Sequence, residues 1–494
     1  MGDSGLVLVS GATGYVGGRL VGRLLGEGFA VRVMARHPEN LQGHHWFEKV
    51  ELVQADATDP ESLDKALEGV TTAYYLLHSL SDHDGFADME AVIASNFGAA
   101  AKRANVSRII YLGGIVPNTP ALSKHLSSRL HTGELLRASG VPTTELRAAV
   151  ILGSGSASFE MLRHLTERLP VMVTPKWLNT KVQPIAIRDV LHYLAAAAQT
   201  AGDESYVGDI GGPDVMTYQE MMQRYARVAG LRPRKIVTVP LLTPRLSSHW
   251  VSLVTPVPRR LALPLVDSLI NEVVVDPALD VRRFLPQPES GLLDFDTAVD
   301  LALTRVRDQE VETRWSSASV PGAPSDPLPT DPDWSGGSLY TDLREHTTSA
   351  TPEELWRVIE RIGGRNGWYS TLFLWEIRGL ADRLMGGVGL RRGRRDPEHL
   401  FVGETVDFWR VERRDYCSLL RLRAEMKLPG LAWLDLMVDS DDQGRTIYRQ
   451  RATYRPVGLL GHLYWWSVAP FHGLVFGSMV RNIPHAAEKL RAAS

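Results

Sequence analysis

Over its first 150 residues the chain alternates short apolar runs with longer amphipathic stretches. Leu6-Val-Leu-Val-Ser10 is almost wholly apolar and ends in a glycine turn, which reads as a strand buried on both faces. From Tyr15 to Gly26 the apolar positions Val16, Leu20, Leu24 and Leu25 fall on one face at helical spacing. The same reading predicts strands over 30–35, 50–55, 72–77, 108–112 and 143–150, and helices over 86–104 and 123–138. Such alternation predicts an α/β fold of Rossmann type, a doubly wound parallel sheet with helices on both faces.

Beyond residue 150 the pattern loosens. Residues 182–194 read as a strand feeding a helix, and 205–211 as a late strand of the sheet. A helix is predicted over 217–229, with Thr217 as N-cap and Glu220 closing a capping box. Residues 316–337 are rich in Pro, Ser, Gly and Asp without apolar periodicity, the composition of a linker. A different pattern follows. Thr351 caps a helix that has Pro352 at its first position. Residues 418–423 alternate Leu420 and Leu422 against Arg421 and Arg423, and 445–455 put Tyr448 and Tyr454 on one face, as half-buried antiparallel strands do. The chain closes with an apolar, aromatic segment over 458–483, about the length of a membrane span. It contains His462, Pro470 and His472, which are costly in lipid, so a buried helix closing a ligand cavity is favoured over a spanning one or membrane-surface contact. The expected organisation is therefore a domain over 1–315 (core 1–150, substrate side 151–315), a linker over 316–337, and an α+β domain over 338–494.

Composition narrows the classes of function. The formal net charge is −3 over 494 residues, without the basic excess of a nucleic-acid binder. One cysteine, Cys417, rules out an intrachain disulfide and suits a reducing compartment. Met1–Leu6 lacks a basic region followed by a long apolar run, and Leu6 stands where a myristoylation signal wants Ser or Thr, so a cytoplasmic location is expected. Neither Cys/His metal-ligand spacing nor a Gly-x-Ser-x-Gly elbow occurs, so no metal is expected. Nothing in the pattern sets the oligomeric state.

The clearest chemical signal is Gly11-Ala-Thr-Gly14-Tyr-Val-Gly17, between the first predicted strand and the first predicted helix. Glycines there permit unusual dihedrals and close approach of backbone N–H groups to a pyrophosphate, and the helix N-terminus favours its negative charge. Gly11, Thr13, Gly14, Tyr15 and Val16 are the expected dinucleotide contacts. The second strand ends at Arg36, where a basic side chain suits a 2′-phosphate; the expected cofactor is NADP(H). Asp56, followed by Ala57, ends the third strand, where a carboxylate can accept a hydrogen bond from an adenine amino group. Asp59, before Pro60, reads as a helix cap.

On Ser10 to Gly17, the Val31-to-Arg36 strand, Asp56, Pro184-Ile-Ala-Ile-Arg-Asp-Val190 and 218–240, the chain from 6 to about 300 resembles the atypical, NmrA-like branch of the short-chain dehydrogenase/reductases. The resemblance implies that Leu77 and His78 lie beside the adenosine ribose. It also implies a Ser, a Tyr and a Lys for catalysis, and these are absent. The equivalent helix reads Ser123-Lys-His-Leu-Ser-Ser-Arg129, so that His125 and Arg129 replace Tyr and Lys by position. The serine position falls near Gly113-Gly114, and no tyrosine occurs between Tyr111 and Tyr193. Two readings stay open. His125 donates a proton while Arg129 binds ribose or phosphate, making an oxidoreductase of a hydrophobic carbonyl, enone or quinone-like compound. Alternatively the cofactor is sensed by a non-catalytic protein; a lipid carrier is a further alternative.

Residues 338–494 resemble the DUF2867 domain on Gly363-Gly-Arg-Asn-Gly-Trp368-Tyr, Gly386 to Arg395, Asp407-Phe-Trp-Arg410 and Tyr454-Arg-Pro456. Their organisation is similar to START-like, helix-grip folds that hold hydrophobic ligands. Trp368, Tyr369, Trp375, Trp409, Trp433, Trp465 and Trp466 suit either a ligand cavity or an ordinary core. Arg391, Arg392, Arg394 and Arg395 form the dense basic cluster, read as a clamp for a phosphate or carboxylate or as a solvated loop.

Overall fold

The computed structural model describes residues 5–77, 86–117, 119, 122–200, 202–239, 255, 257–258, 263, 266–267, 270–310, 328, 330–331, 339–364, 367–370, 396, 398–441 and 443–493. The chain divides into two compact units, Met1–Gly337 and Ser338–Ser494. Among the described residues, no helix is long and apolar enough to cross a membrane.

The first unit is built on a seven-stranded, wholly parallel sheet. Its elements are β1 (Val7–Ser10), α1 (Tyr15–Gly26), β2 (Val31–Ala35), β3 (Glu51–Gln54), α2 (Pro60–Leu67), β4 (Thr72–Tyr75), α3 (Phe86–Arg103), β5 (Arg108–Gly114), α4 (Lys124–Ala138) and β6 (Thr143–Ala148). The late strand Tyr206–Ile210 pairs with the outer side of β6. The spatial order runs β3-β2-β1-β4-β5-β6 and then Tyr206–Ile210, so the crossover direction reverses beside β1. Ligands of open parallel sheets bind at such a reversal, outside the carboxyl ends of the strands. Two apolar clusters cover the sheet. Leu20, Val21, Leu24, Val190 and Leu194 lie in one, and Leu63, Ala66, Phe97 and Ala101 in the other. A third cluster, with Phe159, Leu162, Met221 and Tyr225, organises the part after residue 150. There Thr217 caps the helix Tyr218–Val228 with Glu220 completing the capping box.

The segment expected as a linker contributes to this unit. Asp331 forms a buried ion pair with Arg19 of α1 at 2.6 Å, and a Cβ on Gly18 would meet Leu328 at 2.7 Å. Composition alone carries no sign of this anchoring, because one apolar and one acidic side chain suffice for it.

Among the described residues, the second unit has a six-stranded antiparallel sheet and the helices Pro352–Glu360 and Gly458–Ala493. Its strands are Tyr340–Thr348, Thr405–Val406, Trp409–Asp415, Leu419–Ala424, Gly430–Ser440 and Thr446–Pro456. The expected alternation over 418–423 is corrected in one respect. Arg421 is buried, not solvated, because Asp435 on the neighbouring strand takes its guanidinium at 2.6 and 2.9 Å. The closing helix also differs from the expected buried helix. Phe476, Met479, Val480, Ile483 and Ala487 enter the core, but Leu460, Leu463, Trp466, Phe471 and Leu474 face outward. The segment is apolar around its whole circumference, while the sheet covers one side of it.

Candidate functional site

The loop between β1 and α1 is shaped as a cradle. Gly11 turns with φ +75, and a Cβ there would stand 2.5 Å from the Leu76 carbonyl oxygen. Gly14 N–H donates to the Gly11 carbonyl at 3.0 Å and starts α1. A Cβ on Gly17 would lie 2.3 Å from the same Gly11 oxygen, so the first turn of the helix presses on the loop that precedes it. No side chain caps this N-terminus, and its first turn holds no acidic residue. Thr13 and Gly14 are exposed at the rim. These features fit a dinucleotide pyrophosphate, which needs backbone donors, the positive end of a helix and no side chain in the way.

Tyr15 and Val16 are half-buried at the helix start. The Tyr15 side chain points inward. A Cβ on Gly153 would meet its hydroxyl at 2.2 Å, and Arg19 lies over its ring at 4.1 Å. Burial pushes that phenol well above its ordinary pKa. The Tyr15 hydroxyl is therefore withdrawn from the rim of the cradle.

Arg36 is exposed just past β2, and its carbonyl accepts a hydrogen bond from Gln54 Nε2 at 3.0 Å. Asp56 does not end β3, which stops at Gln54. Its Oδ1 instead accepts from Thr58 N at 2.9 Å and Thr58 Oγ1 at 2.8 Å, and these bonds hold its carboxyl below the usual range. Arg36 lowers it further. Ala57 is buried and Leu77 half-buried. His78 lies outside the described residues, as do Arg391, Arg392, Arg394 and Arg395. Asp59 accepts from Glu61 N and caps α2, as expected.

The helix α4 starts at the carboxyl end of β5. Ser123 caps it by accepting from Leu126 N, which sets His125 in the first turn, half-buried. Arg129, one turn later, is not turned outward. Its guanidinium donates to the Leu112 carbonyl and lies over the Tyr111 ring at 5.2 Å. The Tyr111 hydroxyl returns a bond to the Arg129 carbonyl at 3.0 Å. Gly113 and Gly114 end β5, and a Cβ on Gly114 would meet Leu126 at 3.3 Å. The sequence pattern did not reveal the polar groups behind this helix. Ser128 donates to buried Glu90, and buried Glu145 pairs with Arg147 at 2.7 Å and with Arg137. Charged residues of this kind read as surface until a neighbouring strand or helix supplies the counter-charge. Among the described residues, no group of His, Cys, Asp or Glu is arranged to hold a metal.

Residues 11–161 match the family described as NAD(P)H-binding, and residues 334–479 match the protein family of unknown function DUF2867. The chain is 30% identical over 232 residues to (4-alkanoyl-5-oxo-2,5-dihydrofuran-3-yl)methyl phosphate reductase of Streptomyces griseus, covering 46% of this chain and 74% of that protein. It is 27% identical over 243 residues to ceramide reductase of Caulobacter vibrioides, covering 47% and 73% respectively. The solved structure of Citrobacter sp. triphenylmethane reductase complexed with NADP(H) is 21% identical, with a TM-score of 0.48 over 60% of this chain and 99% of that one.

Proposed function

We propose that this chain, which belongs to the NAD(P)H-binding, NmrA-like short-chain dehydrogenase/reductases and carries a DUF2867 domain, is an NADP(H)-dependent oxidoreductase of a hydrophobic carbonyl, enone or quinone-like compound. The observation that carries the reading is the cradle of Gly11, Gly14 and Gly17 at the switch point of a parallel sheet, in a chain whose relatives are named as reductases. Bound there, NADP(H) would supply a hydride. The chain's part is to bind and orient. Backbone N–H groups from Gly14 to Val16 would hold the pyrophosphate, and Arg36 would meet the 2′-phosphate. His125 is the proposed proton donor to the substrate oxygen, with water as the alternative source. Arg129 would act through β5, by holding the strand end beside the substrate.

The test is binding and turnover in one series. Arg36→Ala is expected to weaken NADPH at least 10-fold while leaving NADH within about 2-fold, one phosphate contact being worth ~1.4 kcal/mol or more. Equal weakening of both would remove the 2′-phosphate argument. NADPH oxidation against a panel of short-chain quinones and enones is expected to be saturable and to fall in His125→Ala. A second reading, a cofactor sensor without turnover, is favoured by the engagement of Arg129 with the Leu112 carbonyl. Tight NADPH binding with no oxidation by any acceptor would select it.

A further inference from the structure

The second unit has a half-open cavity of about 420 Å³ between its sheet and its closing helix. The sheet side includes Trp409, Trp433 and Tyr454; the helix side includes Trp465, His472 and Phe476. Among the described residues, no Asp, Glu, Lys or Arg belongs to the wall. The rings are fixed in place. Trp465 stacks on Tyr340 at 4.8 Å and on Tyr454 at 5.8 Å, while His472 meets Trp465 and Phe476 edge-on at 4.7 and 4.8 Å. Two polar atoms of wall residues, Trp409 Nε1 and His472 Nδ1, are buried without a hydrogen-bond partner. For His472 the Asp342 carboxylate stands 4.0 Å away, too far for a hydrogen bond.

The volume falls in the range of small-molecule sites. A charged ligand would find no counter-charge among the described residues of the wall, and burying it would be costly. Aromatic walls favour planar, conjugated partners through offset or edge-on ring contacts. We infer that the DUF2867 unit is a binding site for a neutral, hydrophobic, ring-bearing molecule of about 20 non-hydrogen atoms. This inference does not rest on the reductase reading, because a ligand can occupy the cavity whether or not the first unit turns over NADPH.

The experiment titrates the full chain with N-phenyl-1-naphthylamine, a neutral aromatic fluorophore, in the absence of NADPH. Saturable, one-to-one fluorescence enhancement is expected. Val468→Trp and Val475→Trp, which fill the cavity from the helix, are expected to weaken the probe at least 10-fold. Leu460→Ser, on the exposed side of the same helix, is expected to leave it within about 2-fold. Hydrogen exchange of the unsubstituted chain gives a readout that needs no variant. Probe binding is expected to protect 452–454 and 464–476. Absence of saturable binding, folded cavity-filling variants that bind like wild type, or protection confined to the first unit would each overturn the inference.

Discussion

At Gly11 the chain turns with φ +75, and the nearest obstacle to a Cβ is a backbone oxygen that cannot move aside. Alanine there would be strained by about 1 kcal/mol from the positive φ alone, with the Leu76 clash added. Gly11→Ala is therefore expected to lower stability and NADPH affinity together, as thermal unfolding and isothermal titration would show; an unchanged affinity would mean that the cradle is not the nucleotide site. His472 makes a pH argument at the same scale. Burial lowers its pKa, Arg344 lowers it further, and Asp342 opposes both. The unfolded chain then binds the proton first as pH falls through about 6.5, so stability is present above that value and is lost below it. His472→Phe is expected to flatten the decline between pH 7 and 5, measured by denaturant unfolding followed through the tryptophans. An identical slope in the variant would show that His472 is not the group responsible.

Elements differ in how openly the sequence announces them. Strand–helix alternation and the capping box at Thr217 were legible because each depends on residues close in the chain, and Thr217 accepts from Glu220 N as the spacing implies. Thr217→Ala is expected to cost about 1 kcal/mol in unfolding free energy. No loss at all would mean that the helix is held by its buried face alone. Strand Leu419–Ala424 was legible only in part. Its period of two was plain, but the burial of Arg421 depends on Asp435, which register, not spacing, sets opposite it. The family motifs of the second unit also become intelligible only in space. Asp407 accepts from Gly364 N at 3.2 Å and Trp368 Nε1 at 2.8 Å, and a Cβ on Gly363 would meet Val406 at 2.3 Å. Two motifs some forty residues apart thus meet through hydrogen bonds and packing, a role in holding the fold. Of the seven aromatics singled out, Trp409, Trp433 and Trp465 line the cavity, Trp368 packs on Phe408, Tyr369 is half-buried, Trp466 is exposed and Trp375 lies outside the described residues. Side-chain type alone does not separate those fates.

At the scale of the whole molecule, each apolar cluster of the described residues falls within one unit or the other. Asp331 belongs to the first unit although its sequence neighbourhood reads as linker. Its carboxylate and the Arg19 guanidinium are 5% and 2% exposed, and Arg19 also donates to the Tyr15 carbonyl at 3.1 Å. Removing one partner of such a pair strands the other charge away from water, at a cost of about 3–5 kcal/mol. Because Arg19 sits on α1, the loss reaches the helix whose N-terminus shapes the nucleotide cradle. Asp331→Ala is therefore expected to lower the thermal transition that NADPH raises, and to weaken NADPH, while probe binding in the second unit stays unchanged. NADPH at 100 times its Kd should raise that same transition by about 2.7 kcal/mol of stability. Differential scanning calorimetry with and without NADPH, on wild type and variant, reads both effects. If Asp331→Ala leaves the NADPH-sensitive transition in place, the buried pair contributes nothing to the first unit, and the linker reading of that segment stands.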